Sequence, residues 1–288
     1  MKVDFIIVGA QKSGTTTLSR ILEQHASISF CNKKEPNFWC STTDWERDID
    51  AYHQRFESKE GVLYGEASTS YTFHPLYNMG GKRQIKMSNS WSRFSANMLP
   101  FKVVNVNIVE DLFEYNPQMK FIYIVRNPYE RIISAYKHFY HRAYVNSEIN
   151  QAVVDNSVFL DISRYYTQIK PYIDQFGRDN VLLLDFEKLK TNQKEVRESL
   201  SDFLELPTGS FIEEEDLHAN KSSKFRPPYF LDKVPFFITK ILTQLLGRQR
   251  IKANDLTPET KKIIRVSLSE EVTKIGELMN QDLSHWFE

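Results

Sequence analysis

Cysteine is scarce in this chain and net charge is absent. Two cysteines, Cys31 and Cys40, stand among 288 residues, too few for a disulfide framework and in keeping with ordinary thiols in a reducing cytosol. Lys plus Arg and Asp plus Glu number 37 each, so no global field recruits nucleic acid or a membrane, and any anion site must be local. No apolar run approaches the roughly 20 residues that span a bilayer, so no transmembrane segment is expected. Met1 leads almost directly into an apolar segment, which leaves an expectation of neither signal peptide nor anchor helix. Repeats and low-complexity tracts are missing, and no His/Cys/Asp cluster has metal-ligand spacing, so no metal is expected. These absences together predict a cytoplasmic globular protein. At this length one large domain over 1–288 suffices.

What is present is alternation. Apolar runs predict strands near 3–8, 62–66, 120–125 and 180–185. Helical periodicity predicts helices near 15–25, 106–116, 128–142, 161–176, 191–204 and 258–280. Such alternation predicts an α/β fold, a P-loop-type parallel β-sheet flanked by helices on both faces. Ligands then bind beyond the carboxyl ends of the strands, where Gly9, Glu66 and Arg126 all fall. About 74–105 reads as an insertion, rich in Asn, Ser, Lys and Arg toward 78–100, and as a candidate acceptor-binding lid. A helical region is expected over about 229–288.

The first strand stops at Gly9, and Gln11-Lys12-Ser13-Gly14-Thr15-Thr16-Thr17 follows before an apolar-periodic helix (Leu18, Ile21, Leu22). Strand, glycine-bounded loop and helix make a phosphate cradle, because unpaired N–H groups and the positive dipole end converge on an anion. Gly9 and Gly14 keep the spacing of the nucleotide-triphosphatase loop G-x-x-x-x-G-K-[ST], but Thr15 stands where its lysine belongs and Lys12 lies inside the loop. A second strand, turn and helix runs Lys120-Phe121-Ile122-Tyr123-Ile124-Val125-Arg126-Asn127-Pro128 and on to Ser134, with Pro128 suited to a first helical turn.

These two segments resemble the 5′-phosphosulfate loop and the 3′-phosphate-binding segment of sulfotransferases that use 3′-phosphoadenosine 5′-phosphosulfate (PAPS). The likeness is greatest to the sulfotransferase domain of heparan-sulfate enzymes and their bacterial relatives. It continues through Lys34-Glu35-Pro36-Asn37-Phe38-Trp39, Gly65-Glu66-Ala67-Ser68, Ser163-Arg164-Tyr165, Val181 to Leu189, Asp202 to Pro207, and Asp282-Leu283-Ser284-His285-Trp286. The resemblance implies that Gln11, Lys12, Ser13, Gly14, Thr15, Thr16 and Thr17 hold the 5′ side of PAPS, that Arg126 and Ser134 hold the 3′ side, and that Tyr165 is a further cofactor-binding residue. It implies further contacts from Lys221, Lys224 or Arg226 in a closing loop, and a catalytic pair of Lys12 and Glu66, the glutamate acting as base. Ala67 replaces a lysine common in the heparan enzymes.

The expected reaction moves a sulfuryl group to a hydroxyl, or an amine, of a carbohydrate-containing or other small acceptor, by in-line transfer that depends on positioning and placed charge. His25, His74, His138 and His141 are rival bases, and Lys34 is either a donor or acceptor contact or a surface lysine. Two other functions stay open. A P-loop kinase or nucleotide hydrolase would use Asp185 at the end of Val181–Asp185 for magnesium, and a non-catalytic nucleotide-binding protein would need no base. The basic, apolar stretch of about 229–252 fits packing on its own domain, a homodimer contact, or a peripheral membrane contact.

Overall fold

The four expected strands are present, and a fifth joins them. The computed structural model describes residues 1–72, 107–141, 145, 147–207, 211, 225–226, 249–250 and 255–288. Strands β1 (Phe5–Gly9), β2 (Ile28–Phe30), β3 (Leu63–Ala67), β4 (Lys120–Val125) and β5 (Val181–Asp185) form one sheet in the order β2-β3-β1-β4-β5, every neighbouring pair parallel. From β1 the chain runs out to the edge strand β2, comes back to place β3 beside β1, and then crosses to add β4 and β5 on the other side. The turn after β1 and the turn after β4 open side by side at the switch of direction, where parallel sheets bind ligands.

The helices are α1 (Thr15–Glu23), α2 (Phe38–Ser41), α3 (Trp45–His53), α4 (Ile108–Tyr115), α5 (Pro128–His141), α6 (Ile149–Asp155), α7 (Val158–Asp161), α8 (Tyr165–Phe176), α9 (Phe186–Thr191), α10 (Gln193–Leu204) and α11 (Pro258–Met279). Central strands buried on both faces carry apolar side chains at every position instead of alternating. Ile6, Val8, Phe121, Tyr123 and Val125 pack with residues of α4, α8 and α11. Phe5, Ile7, Ile122 and Ile124 pack on the other face with residues of α1, α9 and α10. A third apolar cluster joins α5, α6, α7 and α11 (Ile132, Phe139, Val153, Phe159, Ile264, Leu268).

Helix starts follow their caps. The Asn127 side chain accepts from Tyr129 N at 2.9 Å ahead of α5, and Asn192 caps α10 by accepting from Glu195 N at 3.3 Å. Thr257 accepts from Thr260 N with Pro258 in the first turn of α11. Side-chain oxygens at these positions satisfy N–H groups that the helix itself cannot. The helix expected over 161–176 begins only at Tyr165, after the short α7. β2, α2, α3, α6 and α9 arise where no element was expected. The 74–105 insertion lies outside the described residues, as does 229–252 except for β7 (Gln249–Arg250), which pairs antiparallel with β6 (Phe225–Arg226). Among the described residues no helix is long and apolar enough to cross a membrane.

The sheet's tightest contact is testable. A Cβ on Gly65 of β3 would lie 2.1 Å from Cζ of Phe5, whose ring is fully buried. Gly65→Ala should therefore destabilise the fold by about 1–3 kcal/mol through overpacking. Urea unfolding would show this as a lower midpoint at unchanged slope.

Candidate functional site

The loop after β1 has the backbone of an anion cradle. Lys12 adopts φ 69° and Gly14 φ 93°, both left-handed. Gly14 is the N-cap of α1, so no side chain of its own closes the helix end. A Cβ there would also lie 2.7 Å from the Phe186 ring, so glycine is required for conformation and for space. Ser13 is fully buried, Thr15 and Thr17 nearly so, and Thr16 is half-buried with its hydroxyl accepting from Lys34 Nζ at 2.6 Å. Gln11 keeps its side-chain carbonyl oxygen buried with no partner. An open helix N-terminus and a lysine within the loop suit a phosphorylated ligand.

Arg126 joins this loop to the turn after β4. Its Nη1 donates to the Lys12 carbonyl at 3.2 Å. The guanidinium lies 4.3 Å from the centre of the Phe186 ring, while Nε and Nη2 donate to Glu130 Oε2 at 3.1 and 2.8 Å. The backbone carbonyl of Arg126 accepts from Tyr165 OH at 2.6 Å. Ser134 is half-buried on α5, the helix that leaves this turn.

Glu66, at the end of β3, has no exposed surface. Its Oε1 accepts from Tyr52 OH at 2.7 Å and Tyr71 OH at 2.9 Å, and its Oε2 from Ser68 Oγ at 2.7 Å. Burial raises its pKa to about 7 against the pull of those three hydroxyls. Ser68 Oγ also accepts from Asn37 N at 3.1 Å, and Asn37 Nδ2 donates to the Glu35 carbonyl at 2.7 Å. Glu66 is thus bonded, through two intermediates, to the loop that sets Lys34 against Thr16.

This arrangement has counterparts in known sequences. The family model described as the sulfotransferase domain matches residues 2–226, a span that contains Lys12, Glu66 and Arg126. The chain belongs to the sulfotransferase domain family. It is 21% identical to carbohydrate sulfotransferase 15 of Homo sapiens over an alignment of 271 residues that covers 78% of this chain and 47% of that protein. It is 29% identical to the membrane-associated sulfotransferase kil1 of Dictyostelium discoideum over 137 residues, 46% of this chain and 22% of the relative. The chain thus spans about half or less of the length of these curated relatives. Among solved structures, a sulfotransferase from Alicyclobacillus acidocaldarius shares the fold with a TM-score of 0.67 at 21% identity, covering 100% of each chain.

The remaining expected residues of this sulfotransferase domain divide into three groups. Tyr165, expected to contact nucleotide, is fully buried and supports Arg126 from beneath by its hydroxyl. Lys221, Lys224 and His74 lie outside the described residues, and Arg226 is described only by its backbone in β6. His25 is buried with Nδ1 accepting from Ser27 N at 3.1 Å, as a turn residue does. His138 packs beside Phe139 on α5, and the side chain of His141 lies outside the description. Asp185, the magnesium candidate of the kinase alternative, accepts from Glu187 N at 2.9 Å and so caps α9. Burial pushes the thiols of Cys31 and Cys40 up to about 11 and about 12, which keeps both protonated and inert.

Two residues gained weight only from the structure. Lys34, which the sequence left between a ligand contact and a surface lysine, reaches the first turn of α1. Glu35 beside it is exposed and left-handed at φ 49°, a conformation that residues with a Cβ adopt rarely and often at functional sites. The polar Lys33-Lys34-Glu35 run between β2 and Pro36 was the only local signal.

Burial of Glu66 has a measurable consequence. Its carboxyl would titrate near 4.5 in the unfolded chain and near 7 in the folded one. Between those values the folded form binds more protons. The contribution of Glu66 is therefore fully present below the lower value and is lost as pH rises through the upper one. Going from about pH 5 to about pH 8, the parent protein should lose on the order of 2–3 kcal/mol of stability relative to Glu66→Gln. A gap independent of pH in urea titrations would show that Glu66 is ionised throughout.

Proposed function

We propose that this chain transfers a sulfuryl group from PAPS to a hydroxyl or an amine of a carbohydrate-containing or other small acceptor. One observation carries the reading: Arg126, one strand away from the glycine loop, donates to the Lys12 carbonyl at 3.2 Å. Two anion-binding elements thus stand one hydrogen bond apart, as a nucleotide with phosphate at both its 5′ and 3′ positions requires. Family membership over residues 2–226 and the likeness to a carbohydrate sulfotransferase support the same chemistry.

Placement supports the following roles. Lys12 and the N–H groups from Gly14 to Thr16 face the 5′-phosphate and stabilise the charge that develops on its oxygen as the bond to sulfur breaks, whereas the Ser13 N–H already donates to the Ala10 carbonyl at 3.1 Å. Lys34, held at Thr16, adds a second cation on that side. Arg126 and Ser134 hold the 3′-phosphate, and the planar fork of an arginine suits a phosphate's paired oxygens. The acceptor oxygen or nitrogen attacks sulfur in line, the bridging oxygen leaves on the nucleotide, and the acceptor proton passes to a carboxylate.

Glu66 is our assignment for that carboxylate, since a base works best when its pKa lies near the working pH and burial raises that of Glu66 to about 7. A second reading is favoured by exposure. Glu66 is wholly covered and bonded to three hydroxyls, whereas Glu35 is open to solvent beside Lys34.

Calorimetry with 3′-phosphoadenosine 5′-phosphate (PAP) and AMP tests the donor. PAP should bind far more tightly, and Arg126→Ala should remove about 2–3 kcal/mol of the difference. Equal affinities in the parent protein end the reading. Sulfate transfer to a panel of saccharide, lipid and phenolic acceptors, followed by mass, tests the reaction, and Lys12→Ala should lower its turnover sharply. Glu66→Gln should lower kcat with PAP affinity unchanged and abolish the rise of rate through about pH 7. Survival of that rise in Glu66→Gln together with its loss in Glu35→Gln would transfer the proton to Glu35.

A further inference from the structure

Arg126 already holds an anion supplied by the chain. Glu130 sits one turn into α5, and its Oε2 accepts from both Nε and Nη2 of Arg126 at 3.1 and 2.8 Å. The other donor of the fork, Nη1, is turned toward the Lys12 carbonyl, and the flat face lies on Phe186. The edge that a phosphate would take is therefore the edge that Glu130 occupies.

We propose that Glu130 is an internal stand-in for the 3′-phosphate: it keeps Arg126 aligned when no nucleotide is bound, and exchanges places with that phosphate on binding and release. The inference rests on the assignment of Arg126 to the 3′-phosphate. An ordinary helix-start role competes with it, because acidic residues in a first turn favour the helix dipole and Glu130 follows the Asn127 cap by three residues. In a reciprocal capping box, however, the glutamate reaches back to the N-cap's own N–H, whereas the Glu130 carboxylate is directed to the guanidinium. The exchange is physically easy. The Arg126 side chain is 19% exposed and that of Glu130 49% exposed, so a displaced Glu130 turns into water without leaving a buried charge behind. The arginine itself stays pinned by Phe186 and the Lys12 carbonyl.

Specificity and turnover follow from the same competition. A nucleotide with a 3′-hydroxyl brings no charge able to displace a carboxylate from an arginine, so it binds with Glu130 still in place. A phosphate dianion displaces it. When product leaves, the returning carboxylate takes the arginine and hastens departure, and product release limits many turnovers.

PAP and AMP binding to the parent chain, Glu130→Gln, Arg126→Ala and the double variant tests this, with dissociation rates followed by stopped flow. Glu130→Gln should tighten PAP by about 5-fold, mostly through slower dissociation, and leave AMP within about 2-fold, as for a partly exposed ion pair. In the Arg126→Ala background the same change should do nothing to PAP, because contact partners are non-additive. An effect that persists without Arg126, or that is equal for AMP, would assign Glu130 to the general field and overturn the inference. A parent preference for PAP that Glu130→Gln leaves unchanged would overturn it alone. Equal binding of PAP and AMP to the parent would overturn the 3′-phosphate assignment and this inference together.

Discussion

The placement of Arg126 is the constraint on which the site depends. Its side chain meets the Lys12 carbonyl from one side, the Phe186 ring from below and Glu130 at its edge, while Tyr165 holds its backbone. Those four partners come from the turn after β1, the start of α9, α5 and α8. A guanidinium with few free rotamers loses little entropy when it binds, so pre-alignment here means that binding free energy is not consumed in ordering the residue. The same geometry explains why Phe186 also lies where a Cβ of residue 14 would go. One ring sets the height of the arginine and the identity of the glycine at once.

Beneath this, the sheet contributes position more than chemistry. β1 and β4 are central neighbours, and their fully apolar faces are fixed between helical layers on both sides. Interiors packed at crystal-like density do not deform continuously, so loops leaving adjacent strands keep their separation. Asn127, which begins α5, also donates to the Trp286 carbonyl at 2.9 Å, and the Trp286 ring packs edge-on to Tyr165. The carboxyl-terminal turn thereby braces the arginine from behind.

Much of this was readable from the residues, and the reasons divide cleanly. Phe5 to Gly9 and Lys120 to Val125 are long apolar runs with glycine or Pro-directed turns after them, and such runs depend on local pattern alone. β2, with only Ile28, Ser29 and Phe30, is too short to show a period and becomes a strand because β3 lies beside it. α3 carries Glu46, Arg47, Asp48 and Asp50 along Trp45–His53 and is held by Tyr52 in the core, a tertiary effect that propensity does not register. Arg126 stood out in the sequence by its place between the apolar run and Asn127-Pro128. Its pairing with Glu130, the three hydroxyls on Glu66 and the reach of Lys34 to Thr16 depend on side-chain directions. Tyr165 could be named from the sequence, but only packing reveals that it works through the arginine's carbonyl.

The two ends of the cradle are finished in opposite ways. α1 begins at a residue with no side chain, so its first N–H groups meet no side-chain oxygen from their own cap. Glycine in place of Ser, Asn or Asp at an N-cap costs only a few tenths of a kcal/mol, a small sacrifice for leaving the positive pole of a helix accessible. Any capping oxygen at position 14 would have stood where an incoming anion must come. α5 instead keeps a carboxylate of its own beside the cation of its turn. The molecule thus offers one terminus that is electrostatically open and one that is self-neutralised. Under the PAPS reading, a doubly charged guest would be drawn first by the open pole and only then tested at the closed one, an order of engagement at a site that has no moving part in its central strands.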